Sequence, residues 1–350
     1  MSKKIKVLSL FDGISCGRVA LERAGFEIEK YYASEIDKFA KIIAQKNYPD
    51  TIQVGDITKL KGEDYDVDLV MGGSPCQGFS FAGKQLNFDD PRSALFFEFV
   101  RLLKEIKPKY FLLENVRMKQ EHQDVISEHL GVKPIMINSS LVSAQNRYRL
   151  YWTNIPNIEQ PNDKEINLKS LLQNEEEVDE KYYLTENNIK TINRNFGSKG
   201  KIIDLEEDFS LIEKMNYPSR IKQKLQCIKC PTLTAAMGTG GGNVPVITIK
   251  EATKKGFVEI KDGECFDNTF PNSETRRGRK MDKKSNCLTA ANYDYLLFKN
   301  ERIRKLTEIE CERLQTLPDR YTEDISMTQR YKALGNGWTV DVVAHILTNL

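Results

Sequence analysis

One cysteine stands where an α/β protein would carry a nucleophile. The fourth predicted strand ends in M-G-G-S-P-C-Q, so Cys76 follows a buried apolar run and opens a polar loop. Gly72 and Gly73 let the backbone approach a ligand closely, and Pro75 stiffens the approach to the thiol. A lone cysteine is more often a small buried hydrophobe, so its neighbours must decide its role.

The next predicted strand supplies a carboxyl group. Its sequence, F-L-L-E-N-V, places Glu114 at the carboxyl end of the strand. A papain-like hydrolase needs a histidine beside its thiol, and the only three histidines are His122, His129 and His345. None of them is close to Cys76 in the sequence, which argues against Cys–His hydrolysis.

Acidic residues follow the second and third predicted strands. The first strand leads into F-D-G-I-S-C-G, which lacks the G-x-G-x-x-G of dinucleotide-binding proteins. Glu35 is placed to accept hydrogen bonds from ribose hydroxyls, and Asp56 could bind an adenine amino group. A ligand with ribose and adenine but no phosphates to cradle fits S-adenosylmethionine better than NAD or ATP. The alternative is that both acids are solvated loop residues, but their recurrence at successive strand ends favours binding.

Arg147 and Arg149, in Q-N-R-Y-R, form another candidate pair. Strand alternation puts both on one face, opposite Tyr148 and Leu150. This pattern fits either a binding role or a solvated face on an edge strand.

Alternating strands and helices position these residues, which implies parallel βαβ units and a doubly wound sheet. The predicted strands are Ile5–Phe11, Tyr31–Ser34, Ile52–Val54, Val67–Met71 and Tyr110–Leu113, and the predicted helices include Lys38–Asn47 and Ala94–Ile106.

The character of the chain changes near residue 156. Residues 173–180 form an acidic block, 238–243 are too glycine-rich for a helix, and 218–304 contain 17 Lys and Arg against 9 Asp and Glu. We expect 156–300 to form a second, loop-rich domain, and such a basic run is more often a solvated loop than a binding site.

Helical patterns return at the C-terminus. Thr307 and Glu310 predict a capping box for a helix that stops before Pro318. An apolar helical face follows, made of Val342, Val343, Ile346 and Leu347.

Composition sets broad limits. The chain has 350 residues, a net charge of +2 and seven scattered cysteines, which fit free thiols in a reducing compartment. It has neither an apolar run long enough for a membrane helix nor the pattern of a signal peptide, so we expect a cytoplasmic protein. Cys227-x-x-Cys230 is a single CxxC without a second pair at metal spacing, so we expect no metal site.

Taken together, these segments resemble the ordered motifs of DNA cytosine-5 methyltransferases. The matching segments are Phe11–Gly13, Glu35, Gly55–Asp56, Pro75–Gln77, Glu114–Val116, Gln145–Arg149 and Gly335–Asn336. PCQ, ENV and QxRxR are specific in this order and spacing. Ser15–Cys16, Ser74 and Trp338 depart from the commoner bacterial pattern and look more like the vertebrate de novo enzymes.

The resemblance implies a Rossmann-like methyltransferase domain, 1–155 plus 301–350, with a smaller target-recognition domain, 156–300, inserted. The catalytic residues would be Cys76, which adds to C6 of a flipped-out cytosine, Glu114, which holds N3, and Arg149 and Arg147, which bind O2. S-adenosylmethionine, converted to S-adenosylhomocysteine, would be bound by Phe11, Asp12, Gly13, Ile14, Glu35, Ile36, Asp56, Ile57, Pro75, Leu95, Asn336 and Trp338.

The expected partner is double-stranded DNA, and we expect a monomer without a membrane or obligate protein partner, from a bacterium or a phage. The loop from Gln77 to about Arg92 would close over the extruded base, with Gln77 filling the gap in the stack. Lys and Arg of the inserted domain would contact phosphates, and Arg276, Arg277 or Arg279 could read guanine edges. C-P-T-L-T-A-A at 230–236 and N-C-L-T-A-A at 286–291 echo each other as a duplicated strand pair or by chance.

Two rivals share this fold. The same chemistry could act on tRNA, although a long basic recognition region disfavours that. A non-catalytic DNA-binding relative is the other, and intact Cys76, Glu114 and Arg149 speak against it. We do not expect an unrelated nucleotide-binding module.

Overall fold

A computed structural model describes residues 3–74, 91–183, 247–250, 257–261, 263–267, 279–281, 284–288, 295–299 and 302–350. Its residues cluster into two compact units. The first contains 1–171, 287–291 and 308–350, and the second contains 172–286 and 292–307. Residues 308–350 thus cluster with residues 1–171.

Eight strands and seven helices of the first unit are described. The strands are β1 (Lys3–Leu10), β2 (Phe26–Ser34), β3 (Ile52–Gln53), β4 (Leu69–Gly72), β5 (Tyr110–Val116), β6 (Ile135–Asn138), β7 (Gln145–Asn146) and β8 (Tyr148–Thr153). The helices are α1 (Cys16–Arg23), α2 (Lys38–Asn47), α3 (Pro91–Ile106), α4 (Gln120–Leu130), α5 (Glu308–Leu314), α6 (Met327–Asn336) and α7 (Val340–Leu347).

Seven of these strands form one sheet, in the order β3-β2-β1-β4-β5-β8-β6. β1 to β5 are parallel, as the alternation of strands and helices predicts. β8 runs antiparallel to both of its neighbours, β5 and β6. The alternative of a solvated edge strand for Arg149 is therefore excluded, because β8 lies inside the sheet. The sheet is mixed rather than wholly parallel.

Buried apolar side chains from β1, β4 and β5 pack with those of α3 in one core cluster. Its fully buried members include Leu8, Val70, Phe96, Phe99, Leu113 and Trp152. In α7, Val342, Val343, Ile346 and Leu347 are all fully buried, which confirms the predicted apolar face. A salt bridge of 2.6 Å from Arg23 to Asp341 joins α7 to α1. None of the described helices has both the length and the apolar character needed to cross a membrane.

The second unit contains antiparallel strands. β9 (Ile247–Lys250) pairs with β10 (Phe257–Ile260). The further strands are β11 (Glu264–Asp267), β12 (Lys280–Met281), β13 (Ser285–Asn286), β14 (Tyr295–Lys299) and β15 (Arg302–Lys305). Four of them form a sheet in the order β12-β11-β14-β15.

Part of the acidic block has a structural role in this unit. Arg304 has no exposed surface, and its Nη2 lies 3.2 Å from Oε1 of Glu175. The hydroxyl of Tyr183 donates to the same carboxylate. Glu175 therefore neutralises a buried cation, because a buried guanidinium without a partner would be costly.

Candidate active site

A cavity of about 450 Å³ opens in the first unit at the carboxyl ends of β1 to β5. The turn after β1, the loops after β2 and β3, the ends of β4 and β5, and α6 with the residues after it form its wall. Ligand sites in open α/β sheets lie at this edge. Of the predicted cofactor residues, those that line it are Phe11, Gly13, Ile14, Glu35, Ile36, Asp56, Ile57, Leu95 and Asn336.

Glu35 joins the first turn to the end of β2. The backbone N–H of Gly13 donates to its Oε2 at 2.8 Å, and the N–H groups of Ile36 and Asp37 donate to Oε1 at 2.7 and 2.8 Å. Three donors fix the carboxylate in place, while a carboxylate offers about four lone-pair sites. Glu35 thus keeps an acceptor for a ribose hydroxyl at the cavity wall.

Asp56 is held in a similar way at the end of β3. Its Oδ1 accepts from the N–H of Thr58 at 3.0 Å and from the Thr58 hydroxyl at 2.9 Å. These hydrogen bonds lower the pKa of Asp56 from its ordinary value, so the group is an anion near neutral pH. Oδ2 is the oxygen that could accept from an amino group.

Asp12 was expected to bind the cofactor, but it does not line the cavity. It is 8% exposed, and its carboxylate accepts from the hydroxyls of Ser15 and of Tyr31. Burial raises its pKa to about 6, against the opposing effect of these hydrogen bonds. The backbone around it is left-handed at Phe11, Gly13 and Ser15. Asp12 therefore stabilises the turn from which its neighbours face the ligand.

Glu114 is buried at the other end of the cavity, with an ion pair at one carboxylate oxygen and a hydrogen bond at the other. Nε of Arg149 lies 2.9 Å from Oε1, and Nε1 of Trp338 donates to Oε2 at 3.0 Å. Strand pairing explains the first contact, because β5 and β8 are adjacent and antiparallel, with Glu114 opposite Tyr151 and Val116 opposite Arg149. Trp338 is not among the residues that line the cavity, and its cofactor contact stays a prediction.

Arg147 lines the cavity as well, and its guanidinium group has partners within the protein. It is 3% exposed, and Nη2 donates to the carbonyls of Gly335 and Gly337 at 3.2 and 2.9 Å. Nη1 donates to the carbonyl of Leu288 at 2.8 Å. Burial lowers the pKa of Arg147. The side chain thus fixes the backbone after α6.

Two polar residues that the sequence reasoning did not single out contact the residues of this wall. Cys287 lies 3.1 Å from Nη1 of Arg147 and 3.5 Å from Nη2 of Arg149. Burial would raise the pKa of the Cys287 thiol, but the two guanidinium groups outweigh it and the pKa is lowered. Asn115 donates to the Ser74 hydroxyl at 3.2 Å and so fixes the residue before Pro75. In the sequence, Cys287 was marked only by the similarity between residues 230–236 and residues 286–291.

Several predicted residues lie outside the described part of the chain: Pro75, Cys76, Gln77, Cys227, Cys230, Arg276 and Arg277, together with the loop 77–90 and the segments 230–236 and 238–243. Arg279 is described. It is 5% exposed, and its Nε donates to the carbonyl of Asp267 at 2.9 Å, which favours a structural role over base reading.

Acids after β2 and β3, a cavity at the carboxyl edge and a turn without a phosphate-binding fingerprint define a class, the S-adenosylmethionine-dependent methyltransferases. The cavity volume is in the range of small-molecule sites. Glu35 and Asp56 offer hydrogen-bond acceptors, whereas a phosphate group would need hydrogen-bond donors. These residues fit a nucleoside with a thioether-derived sulfonium.

The family is shown by comparison with known proteins. The model for C-5 cytosine-specific DNA methylase matches residues 5–350, so the chain belongs to that family. The type II methyltransferase M.Bsp6I of Bacillus sp. (strain RFL6) is 31% identical over 75% of this chain and 86% of its own. M.BanI of Aneurinibacillus aneurinilyticus, also a type II methyltransferase, is 30% identical over 99% of this chain and 96% of its own. A crystal structure of a DNMT2 mutant from Spodoptera frugiperda has a similar fold, with a TM-score of 0.58, 19% identity and 98% of each chain covered.

The chain is therefore a DNA cytosine-5 methyltransferase that uses S-adenosylmethionine, as the motifs predicted.

Glu35→Gln should weaken cofactor binding. The amide keeps one acceptor oxygen but loses the charge that a ribose hydroxyl would meet, so we expect the Kd for S-adenosylhomocysteine to rise about 10- to 100-fold. Isothermal titration calorimetry measures this directly. Glu29→Gln, at an exposed position of β2, is the matched control and should bind normally. An unchanged Kd for Glu35→Gln would exclude the carboxylate from the cofactor site.

Asp12→Asn should change how stability depends on pH. Because the pKa of Asp12 is about 6 in the fold and 3.8 ordinarily, its contribution is fully present below pH 3.8 and is lost as pH rises through 6. Between pH 5 and 7.5 the free energy of unfolding of the native chain should fall by about 1 kcal/mol relative to that of the variant. Urea unfolding at several pH values measures this, with exposed Asp64→Asn as the control. Parallel curves for the native chain and Asp12→Asn would contradict it.

Proposed function

We propose that Cys76 is the nucleophile, that Glu114 and Arg149 activate the base, and that the substrate is a cytosine in specific sites of double-stranded DNA. The Glu114–Arg149 ion pair carries the proposal. It lies in the wall of the same cavity whose other wall bears Glu35 and Asp56. An acid–cation pair and a nucleoside site in one cavity suit methyl transfer to a ring that must first be made electron-rich.

The chemistry begins with addition. The thiolate of Cys76 forms a bond to C6 of cytosine, the 5,6 double bond breaks, and its electrons move toward N3 and O2. Glu114 shares a proton with N3, and the guanidinium of Arg149 donates to O2, so both meet charge where it develops. S-adenosylmethionine, when bound, supplies an electrophilic methyl group.

The ring is then restored. C5 would take the methyl group, and the cofactor would be left as S-adenosylhomocysteine. The C5 proton would then leave to water, the 5,6 double bond would re-form as the C6–sulfur bond breaks to release the thiolate of Cys76, and Glu114 would take back the proton shared with N3. None of these steps can occur while the base is stacked in a duplex, so the cytosine must be extruded. The loop that begins at Gln77 would cover it, with Gln77 in the vacated position.

Target reading belongs to the second unit in this proposal. Its support is the basic excess in 218–304 and the place of this region between the catalytic motifs and the closing helices. Arg276 and Arg277 remain the candidates for guanine edges. We place the enzyme as a monomer in the cytoplasm of a bacterium or of a phage host, since relatives come from both, with or without a restriction partner.

Cys76→Ser should abolish methylation. An alcohol at neutral pH is far less nucleophilic than a thiolate, so we expect labelled-methyl transfer to duplex DNA to fall by at least about 100-fold. Bisulfite sequencing of DNA from expressing cells should show protected cytosines for the native chain and none for the variant. Unchanged binding of S-adenosylhomocysteine shows that the variant is folded. Full activity of the folded serine variant would eliminate Cys76 as the nucleophile.

The same transfer assay distinguishes the nucleic acid. With duplex DNA and tRNA at equal cytosine concentration, we expect label in the DNA alone. Label in tRNA alone would make the DNA proposal wrong while leaving the cytosine chemistry in place.

A further inference from the structure

We propose that Trp338 is a positioning residue for the catalytic carboxylate: its indole N–H holds Oε2 of Glu114 and leaves Oε1 as the oxygen that serves the base. This inference rests on the proposed role of Glu114. The indole nitrogen lies 3.0 Å from Oε2, and Nε of Arg149 lies 2.9 Å from Oε1.

The chemistry of the indole gives this contact a direction. An indole N–H is a donor with no acceptor, so it binds an oxygen through a lone pair and disfavours a proton on that oxygen. A proton that Glu114 shares with a ring nitrogen is therefore directed to Oε1. Arg149 can exchange its contact with Oε1 for substrate, whereas Trp338 keeps the carboxyl group from rotating.

One glycine makes room for this contact. A Cβ on Gly73 would lie 2.9 Å from Oε2 of Glu114 and 3.0 Å from Nε1 of Trp338, against the hydrogen bond. The glycine after β4 is thus matched to the tryptophan, beyond its use in approaching a ligand.

The backbone that carries the indole is fixed as well. The carbonyl of Gly337 accepts from Arg147 at 2.9 Å and from the amide of Gln315 at 3.2 Å. Gln315 also donates to the carbonyl of Leu334 at 2.6 Å. A ring whose own backbone is held by two buried side chains can position a carboxylate, because little freedom remains at its base.

The test is Trp338→Phe, which keeps an aromatic ring and removes the donor. We expect kcat, and the rate constant of methyl transfer in a single turnover, to fall about 10- to 100-fold, the size expected for a lost hydrogen bond to a charged group. The KM values for S-adenosylmethionine and DNA should stay within about twofold, because the change does not alter how either substrate binds in the ground state. Trp152→Phe is the control for loss of an indole donor: Trp152 donates to Ser127 at 3.0 Å rather than to Glu114, and kcat should not change.

A double-mutant cycle separates positioning from a general structural effect. In a Glu114→Gln background the Trp338→Phe change should cost less than about threefold, because the group it positions is gone. An equal loss in both backgrounds, a rise in KM alone, or no loss from Trp338→Phe in the native background would each overturn the inference.

The proposed function and this inference fail differently. If Glu114→Gln leaves kcat unchanged, the role of Glu114 is wrong; if it lowers kcat while Trp338→Phe does not, only the role of Trp338 is wrong. Gly73→Ala is a second route, since its methyl group meets the same hydrogen bond. It should lower kcat in the native background and add little to Trp338→Phe, and additive losses would count against the coupling.

Discussion

The carboxylate of Glu114 has an ion pair at Oε1 and accepts a hydrogen bond at Oε2, and the proposed reaction depends on this arrangement. One donor, Arg149, comes from a strand that runs antiparallel to its neighbours. The other, Trp338, comes from the residues after α6, more than 200 positions further along the chain. Both must return to the carboxyl end of β5, so the mixed sheet and the docking of the C-terminal segment are requirements of the site.

Arg147 links these two requirements. Its guanidinium group binds the carbonyls of Gly335 and Gly337, and it also reaches Leu288 and the thiol of Cys287. A buried cation that satisfies several carbonyl groups is costly to remove, because each carbonyl would lose its partner. The two arginines of the Q-N-R-Y-R motif thus have different contacts. Arg147 fixes the backbone that bears the indole, and Arg149 forms the ion pair with the acid.

The sequence predicted local structure well where short-range chemistry decides it. Helix α2 begins at Lys38 and ends at Asn47 as expected, since Asp37 caps it by accepting from Phe39 and Ala40 and its apolar residues face the core. Glu35 and Asp56 were found for the same reason: strand ends are visible in the pattern, and parallel strands bring their ends together.

The rest could not be read from the sequence, because it depends on long-range partners. The alternation of strands and helices does not encode the insertion of β8 between β5 and β6. An acid in a glycine-containing turn resembles a ligand-binding residue whether it faces a cavity or, like Asp12, its own turn. Nothing in G-N-G-W indicates that its tryptophan contacts an acid on β5, and nothing in N-C-L-T-A-A indicates that its cysteine contacts two guanidinium groups.

The most direct measurement of the central claim is a crystal structure of the chain after incubation with S-adenosylmethionine and a duplex that carries 5-fluorocytosine at its target site. After methyl transfer C5 carries fluorine in place of the proton that must leave, so the adduct should persist. The account predicts a covalent bond from Sγ of Cys76 to C6, Oε1 of Glu114 within hydrogen-bond distance of N3, and Arg149 on O2. A stacked, unmodified cytosine, or an adduct in which another group meets N3, would contradict it.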